Sequence, residues 1–248
     1  MSATETATPA SVAVMKIPLD VGMYASAEAA RLARISPKRM LRWLRGREIP
    51  SWARERRRRP VLRHDLPEIS GATALSFLDL IEVRMVKAFL DEGVSMHTIR
   101  AAAAAAATLF KSDHPFCLKK FETDGRTIFA RLEEDHVQGH GRPKEAILLD
   151  LQRGQTAIPK VIEPLLRQIV YVNEVSAQWW PLGRRGGVVI NPRLAFGVPV
   201  VARCGVPTDT LAGAARAEGS VQLAADWYDV RPNDVRLAVR FESWLAAA

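Results

Sequence analysis

Cysteine is scarce in this 248-residue chain, with Cys117 and Cys204 the only two. Two thiols in a chain this long build no disulfide framework, which predicts a reducing cytoplasm as its setting. The sequence has no run of 18 or more apolar residues, so no membrane-spanning helix is expected. Its first twenty residues lack a basic stretch followed by an apolar one, so a secretory signal is not expected either. The small, polar MSATETATPASVA reads as a disordered tail within residues 1–20. Catalytic signatures are also missing. There is no Gly-x-Ser-x-Gly, no Gly-x4-Gly-Lys-Ser/Thr and no His-Glu-x2-His. Glu133-Glu134-Asp135 lies in polar sequence, where a solvated cluster is the ordinary reading. Arg184-Arg185-Gly186-Gly187 reads as a turn rather than a phosphate cradle. The expectation is a protein that is not an enzyme, with no cofactor and no metal.

What is present is positive charge, and its placement matters more than its sum of +8. Between Val21 and His64 stand 13 lysines and arginines against only Glu28, Glu48 and Glu55. The rest of the chain is close to neutral. Solubility needs no such concentration, whereas a phosphate backbone uses it, because each neutralised phosphate releases counterions.

The pattern around that block is helical. Residues 27–34 form a short apolar-faced run. Ser36-Pro37 then restarts a helix holding Met40, Leu41, Trp43 and Leu44, and Gly46 can end it. Two short helices joined by a tight turn have helix-turn-helix spacing. The basic string RERRRRPVLRHD follows as a loop. Leu78, Ile81, Met85 and Phe89 repeat at helical spacing until Asp91-Glu92-Gly93, and Ser95 caps a further helix through the alanine run 101–107. The period then changes. Residues 116–121 and 127–132 flank Thr123-Asp124-Gly125-Arg126, a hairpin signal. Residues 146–151 suggest a strand, 158–169 a short proline-interrupted helix, and Tyr171-Val172 with Gln178-Trp179-Trp180 a second strand pair. The last stretch turns helical again. Thr208 or Asp209 can cap one helix, Ser220 another, and Pro232 starts a third whose Leu237, Ala238, Phe241, Trp244 and Leu245 share a face. The class expected is α+β, in three units: residues 21–112, a mixed middle unit 113–189 containing a β-hairpin, and a trihelical unit 190–248.

Candidate site residues follow from these placements. On the second helix Lys38, Arg39 and Arg42 fall roughly on one face, with Met40, Leu41 and Leu44 inward. Lys38 or Arg39 can reach guanine edges, while Arg42 or Arg45 can hold phosphates. In the basic loop, Arg56, Arg57, Arg58 and Arg59 repel one another unless a groove or phosphate ladder stabilises them, and Arg63 extends the patch. On the last helix Arg231, Asn233, Arg236 and Arg240 offer either a second DNA surface or a basic patch for an acidic partner. His114, Cys117, His136 and His140 loosely match structural zinc spacing; a buried Cys117 and exposed histidines are the preferred reading. Trp227 and Trp244 are expected in the core, and one of Trp179 and Trp180 at a surface.

Two family resemblances rest on these residues. Tyr24, SAEAARLARISPKRMLRWL, the loop RERRRRPVLRHD and DEGVSMHTIR follow one another as the parts of the MerR-type and excisionase-type winged helix-turn-helix do. The loop takes the place of the wing. A hairpin, rather than the long dimerisation helix of MerR regulators, is expected to follow. INPRLAFGVPVVARCGVPT and EGSVQLAADWYDVRPNDVRLAVRFE resemble the helical domain catalogued as domain of unknown function four-thirty-three, except that Arg203-Cys204-Gly205 stands where Gly-Thr-Arg is usual. That domain occurs in antitoxins paired with PIN-like ribonucleases, and the whole arrangement resembles the larger VapB-type antitoxins. The resemblance implies a dimer that binds double-stranded operator DNA and sequesters a PIN-like ribonuclease toxin. The alternative is a stand-alone MerR-like transcription regulator with a small-molecule pocket in the middle unit.

Overall fold

The computed structural model describes residues 20–45, 47–48, 57–58, 60–69, 71–119 and 167–247, with residues 121, 128, 129, 132, 155 and 164 between them. Helix α1 (Ser26–Ala33) buries Ala29, Ala30, Leu32 and Ala33, and Arg34 ends it in a left-handed conformation (φ 57°). Helix α2 (Pro37–Arg45) buries Met40, Trp43 and Leu44, three apolar side chains at i, i+3 and i+4. Strand β1 (Tyr24–Ala25) pairs with β5 (Ala72–Leu75), which pairs with β4 (Glu68–Ile69), all antiparallel. Strands β2 (Arg47–Glu48) and β3 (Arg57–Arg58) form a separate ladder straight after α2. Helix α3 (Phe77–Asp91) opens on a capping box between Ser76 and Asp79. Helix α4 (Met96–Phe110) is capped by Ser95, whose Oγ accepts from the Thr98 amide at 3.2 Å. Thus the cap expected at Ser95 is present, and the fold is mixed α and β.

The hairpin expected around Asp124-Gly125 is not supported by its flanks. Pro115–Cys117 is a 3-10 turn, and Phe121, Ile128, Phe129 and Leu132 are helical; the turn residues themselves lie outside the described residues. The physical reason is packing. Phe116, Phe121 and Phe129 gather around Phe89 of α3, with ring centroids 6.0, 6.1 and 5.9 Å away. That aromatic cluster offers more buried area than an isolated two-stranded ribbon. The middle of the chain holds its hairpin elsewhere. Strand β6 (Ile169–Val172) pairs with β7 (Val175–Trp179) across Asn173 and Glu174, both at positive φ (50° and 65°). The strand expected at 146–151 and the tail 1–20 lie outside the described residues, as does most of the proline-interrupted helix.

Strands β8 (Val188–Val189) and β9 (Val200–Val201) lead into helices α5 (Thr208–Ala217), α6 (Val221–Trp227) and α7 (Pro232–Ala246). Ser220 caps α6 through the Leu223 amide at 3.3 Å, and Pro232 opens α7, both as expected. Pro207 takes the cap position of α5, without a side-chain bond. Val201, Leu211, Ala224, Ala225, Val235 and Ala238 form a small core of their own. Phe241 and Leu245 at the far end of α7 enter the main core with Tyr24, Trp43 and Phe77. The N-terminal helices and the last helix therefore share one apolar interior.

Tyr24 anchors this junction. It is fully buried, and its hydroxyl donates to the Gly197 carbonyl at 2.8 Å. Gly197 sits at φ +89°, and a Cβ there would lie 2.4 Å from the Tyr24 hydroxyl. Strain and clash combine, so Gly197→Ala is expected to cost about 2 kcal/mol or more. A melting temperature lower by roughly 4–8 °C in calorimetry is the expected outcome. An unchanged melt would show that the Tyr24–Gly197 pair does not hold the two segments together.

Candidate nucleic-acid interface

Helix α2 turns its apolar face inward, and this forces the charged face outward. Lys38, Arg39, Arg42 and Arg45 are exposed at their surface positions. Among the described residues, Lys38, Arg39 and Arg42 have no carboxylate partner. Arg39 lies with its guanidinium 5.5 Å from the Trp43 ring centroid, a cation–π stack that narrows its conformational range.

Two other candidates are engaged within the molecule. The Arg45 guanidinium donates to Thr73 Oγ1 and to Glu68 Oε1, both at 2.7 Å. Arg63 pairs with Asp113. Arg31 pairs with Glu242 at 3.6 Å, and Arg34 donates to the Ala247 carbonyl at 3.2 Å while stacking on Trp244 at 4.9 Å. Those last two arginines tie α1 to α7.

In the β2–β3 ladder Arg47 stands opposite Arg58, and Glu48 opposite Arg57. Arg56 and Arg59 lie outside the described residues. Like charges in direct register across an antiparallel pair are unfavourable unless an anion lies near.

A second surface lies on α6 and α7. Arg231, Asn233, Arg236 and Arg240 lie at or near the surface there. Beside them in sequence Trp227 is 75% exposed, with Leu223 and Tyr228 also exposed. The core position expected for Trp227 is therefore not the one it takes. Helix α6 has seven residues and buries Ala224 and Ala225, so Trp227 falls on its outer side. Trp244 is half-buried against Phe241, Trp179 is fully buried and Trp180 half-buried. Arg203 donates through Nε to Asp234 Oδ1 at 2.9 Å and pairs with the other carboxylate oxygen as well, fixing the β9 turn to the start of α7.

Sequence reasoning misses a buried polar cluster. His114 is not an exposed histidine: it is 7% exposed, and its Nε2 lies 2.7 Å from Asp65 Oδ1. His136 and His140 lie outside the described residues. Asp79 and Glu82, three residues apart on α3, are both fully buried and face the same imidazole. Burial pushes both carboxyls above their ordinary range. Burial alone would lower the His114 imidazole, but the Asp65 hydrogen bond and the Glu82 carboxylate outweigh it and push it up to about 10. Cys117 is buried beside them, its Sγ 3.3 Å from the Leu78 carbonyl, and is free of any disulfide, as is Cys204. No described helix is long and apolar enough to cross a membrane.

Comparison with protein-family models gives no match. Among curated proteins, the chain is 30% identical over 234 residues to "Putative antitoxin VapB45" of Mycobacterium tuberculosis (strain ATCC 25618 / H37Rv), covering 91% of this chain and 95% of that protein. Among solved structures, the X-ray crystal structure of Rv2018 from Mycobacterium tuberculosis is similar at a TM-score of 0.66 and 25% identity, covering 91% of this chain and 99% of that one. The likeness runs through nearly the whole length of both, so it concerns the full arrangement and not one module. The chain belongs to the VapB-type antitoxin family.

Proposed function

We propose that this chain is the antitoxin of a toxin–antitoxin pair, binding the operator of its own operon through residues 21–112 and neutralising a PIN-like ribonuclease through residues 190–248. It acts by binding and not by catalysis, as a homodimer in the cytoplasm. The observation that carries the DNA half is the outer face of α2, where Lys38, Arg39 and Arg42 stand exposed without carboxylate partners among the described residues, while neighbouring cations are engaged internally. Arg39, stacked on Trp43, is pre-organised for bidentate contact with guanine O6 and N7. Lys38 and Arg42 hold phosphates. The β2–β3 ladder with Arg57 and Arg58, together with Arg56 and Arg59, is the wing, and its arginines meet the phosphate backbone. Arg45 and Arg63 are assigned a supporting part, holding the wing's base to β4–β5 and to Asp113. A symmetric dimer reads two half-sites one helical turn apart, about 34 Å.

The toxin half rests on the exposed Trp227, Leu223 and Tyr228 beside Arg231, Asn233, Arg236 and Arg240. An exposed aromatic flanked by arginines has the composition of an interface centre. The nuclease site is carboxylate-rich because it holds Mg²⁺, so Arg236 and Arg240 meet complementary charge. Gel-shift titration with promoter DNA, and pull-down of the protein encoded beside this one, test the two halves separately. Binding to neither contradicts the reading. The stand-alone regulator keeps one observation in its favour: a cavity of about 400 Å³ lies between the β6–β7 hairpin and Asp65, within the usual range for small ligands. Release of promoter DNA by a small molecule, with no co-purifying nuclease, favours that second reading.

A further inference from the structure

We propose that Asp79, Glu82 and His114 form a binding site for one divalent transition-metal ion, with Asp65 as the residue that positions the imidazole. Three buried atoms carry the argument. Among the described residues, Asp79 Oδ1, Glu82 Oε2 and His114 Nδ1 make no well-formed hydrogen bond and face only one another. His114 Nδ1 lies 3.4 Å from Glu82 Oε2 and 3.9 Å from Asp79 Oδ1. Donor atoms held about 2.1 Å from one ion stand roughly 3–4 Å apart, which the two separations from the imidazole nitrogen match.

The other atoms of the cluster are already occupied in ways that aim these three. Asp79 Oδ2 accepts from the Ser76 amide at 2.7 Å, which leaves Oδ1 to point at the imidazole. Glu82 Oε1 accepts from the Phe116 amide at 3.1 Å, which leaves Oε2. His114 Nε2 sits 2.7 Å from Asp65 Oδ1, and Asp65 Oδ2 accepts from the Ser76 hydroxyl at 3.0 Å. A carboxylate on one ring nitrogen orients the other nitrogen toward a metal and raises its basicity. Asp79 and Glu82 are fully buried around one imidazole, which as an imidazolium offsets one negative charge, whereas a dication offsets both. One imidazole and two carboxylates suit Zn²⁺ or Mn²⁺ better than Mg²⁺ or Ca²⁺, which prefer all-oxygen shells. Access exists on the Asp65 side: that residue lines the 400 Å³ cavity together with Asp20, Ser76 and Asn191. A bound ion would join the segment after the wing (Asp65) to α3 (Asp79, Glu82) and to the start of the Pro115–Cys117 turn (His114).

The test uses the full chain, stripped with chelator and dialysed against micromolar Zn²⁺ or Mn²⁺. One ion per chain by mass spectrometry, a raised Tm, and an X-ray absorption edge fitted by nitrogen and oxygen without sulfur are the expected results. Asp79→Asn and Glu82→Gln should each weaken binding at least tenfold, and Asp65→Asn about tenfold. The double variant His136→Ala/His140→Ala should bind as the parent does. Retention of no ion, a sulfur-containing shell, or loss of the ion in the His136/His140 variant would overturn the proposal. If a ligand variant fails to fold, the absorption spectrum of the unmutated protein and the His136/His140 variant decide.

Discussion

Replacing Trp227 and Leu223 together by alanine is expected to weaken capture of the partner nuclease by at least a hundredfold while leaving Tm unchanged. Trp227 is 75% and Leu223 51% exposed, so their removal opens no cavity in the free protein. An exposed tryptophan has no place in the folding energetics of α6, whose buried face is Ala224 and Ala225. At the centre of an interface such a residue typically contributes about 2–4 kcal/mol, roughly 30- to 1,000-fold in Kd. Arg236→Glu with Arg240→Glu should instead slow association and flatten its salt dependence, because rim charges act mainly on encounter. Biolayer interferometry with the immobilised nuclease separates the two effects. Unchanged affinity in the Trp227 variant would remove this surface from the toxin interface.

The second large effect concerns DNA. Replacing Lys38, Arg39 and Arg42 by alanine is expected to lower the slope of log K against log salt by about 2, one for each of the phosphate-holding cations Lys38 and Arg42, and to remove the guanine contact of Arg39 as well. Affinity for promoter DNA near physiological salt should fall on the order of a hundredfold or more. Arg63→Ala, by contrast, removes an exposed pair with Asp113 and should alter stability by no more than about 1 kcal/mol, with the slope unchanged. Arg45→Ala leaves Thr73 and Glu68 without their partner and should likewise act on stability first. Fluorescence anisotropy at several salt concentrations reads both quantities. An equal drop of slope in the Arg45 and Arg63 variants would contradict the division between outward and engaged cations.

That division is not legible in the sequence, and the reason is distance along the chain. Arg45 meets Glu68 23 residues later, and Arg63 meets Asp113 50 residues later. A local charge count sees arginine excess and cannot see its partners. Local signals are more informative. Met40, Trp43 and Leu44 mark the inward face of α2, and the caps at Ser95 and Ser220 and the start at Pro232 follow from neighbouring residues alone. Asp124-Gly125 misleads because a turn dipeptide predicts a hairpin only if its flanks pair, and here the flanking phenylalanines pack as helices on Phe89. Trp227 misleads because hydrophobicity does not guarantee burial on a helix too short to hide it. The His114 cluster escapes for a related reason. Carboxylates at i and i+3 of a helix ordinarily face water, and only the fold brings Asp65 and the Pro115–Cys117 turn over Asp79 and Glu82.

The antitoxin reading meets its most direct test in an RNA-cleavage assay. The nuclease that this reading expects beside the gene is titrated with the full-length protein under turnover conditions. The account predicts that cleavage falls to background near a one-to-one ratio, and that the Trp227→Ala/Leu223→Ala variant needs a large excess to do the same. Cleavage that continues at full rate in excess of this chain, or a genome with no nuclease gene beside it, would contradict the account.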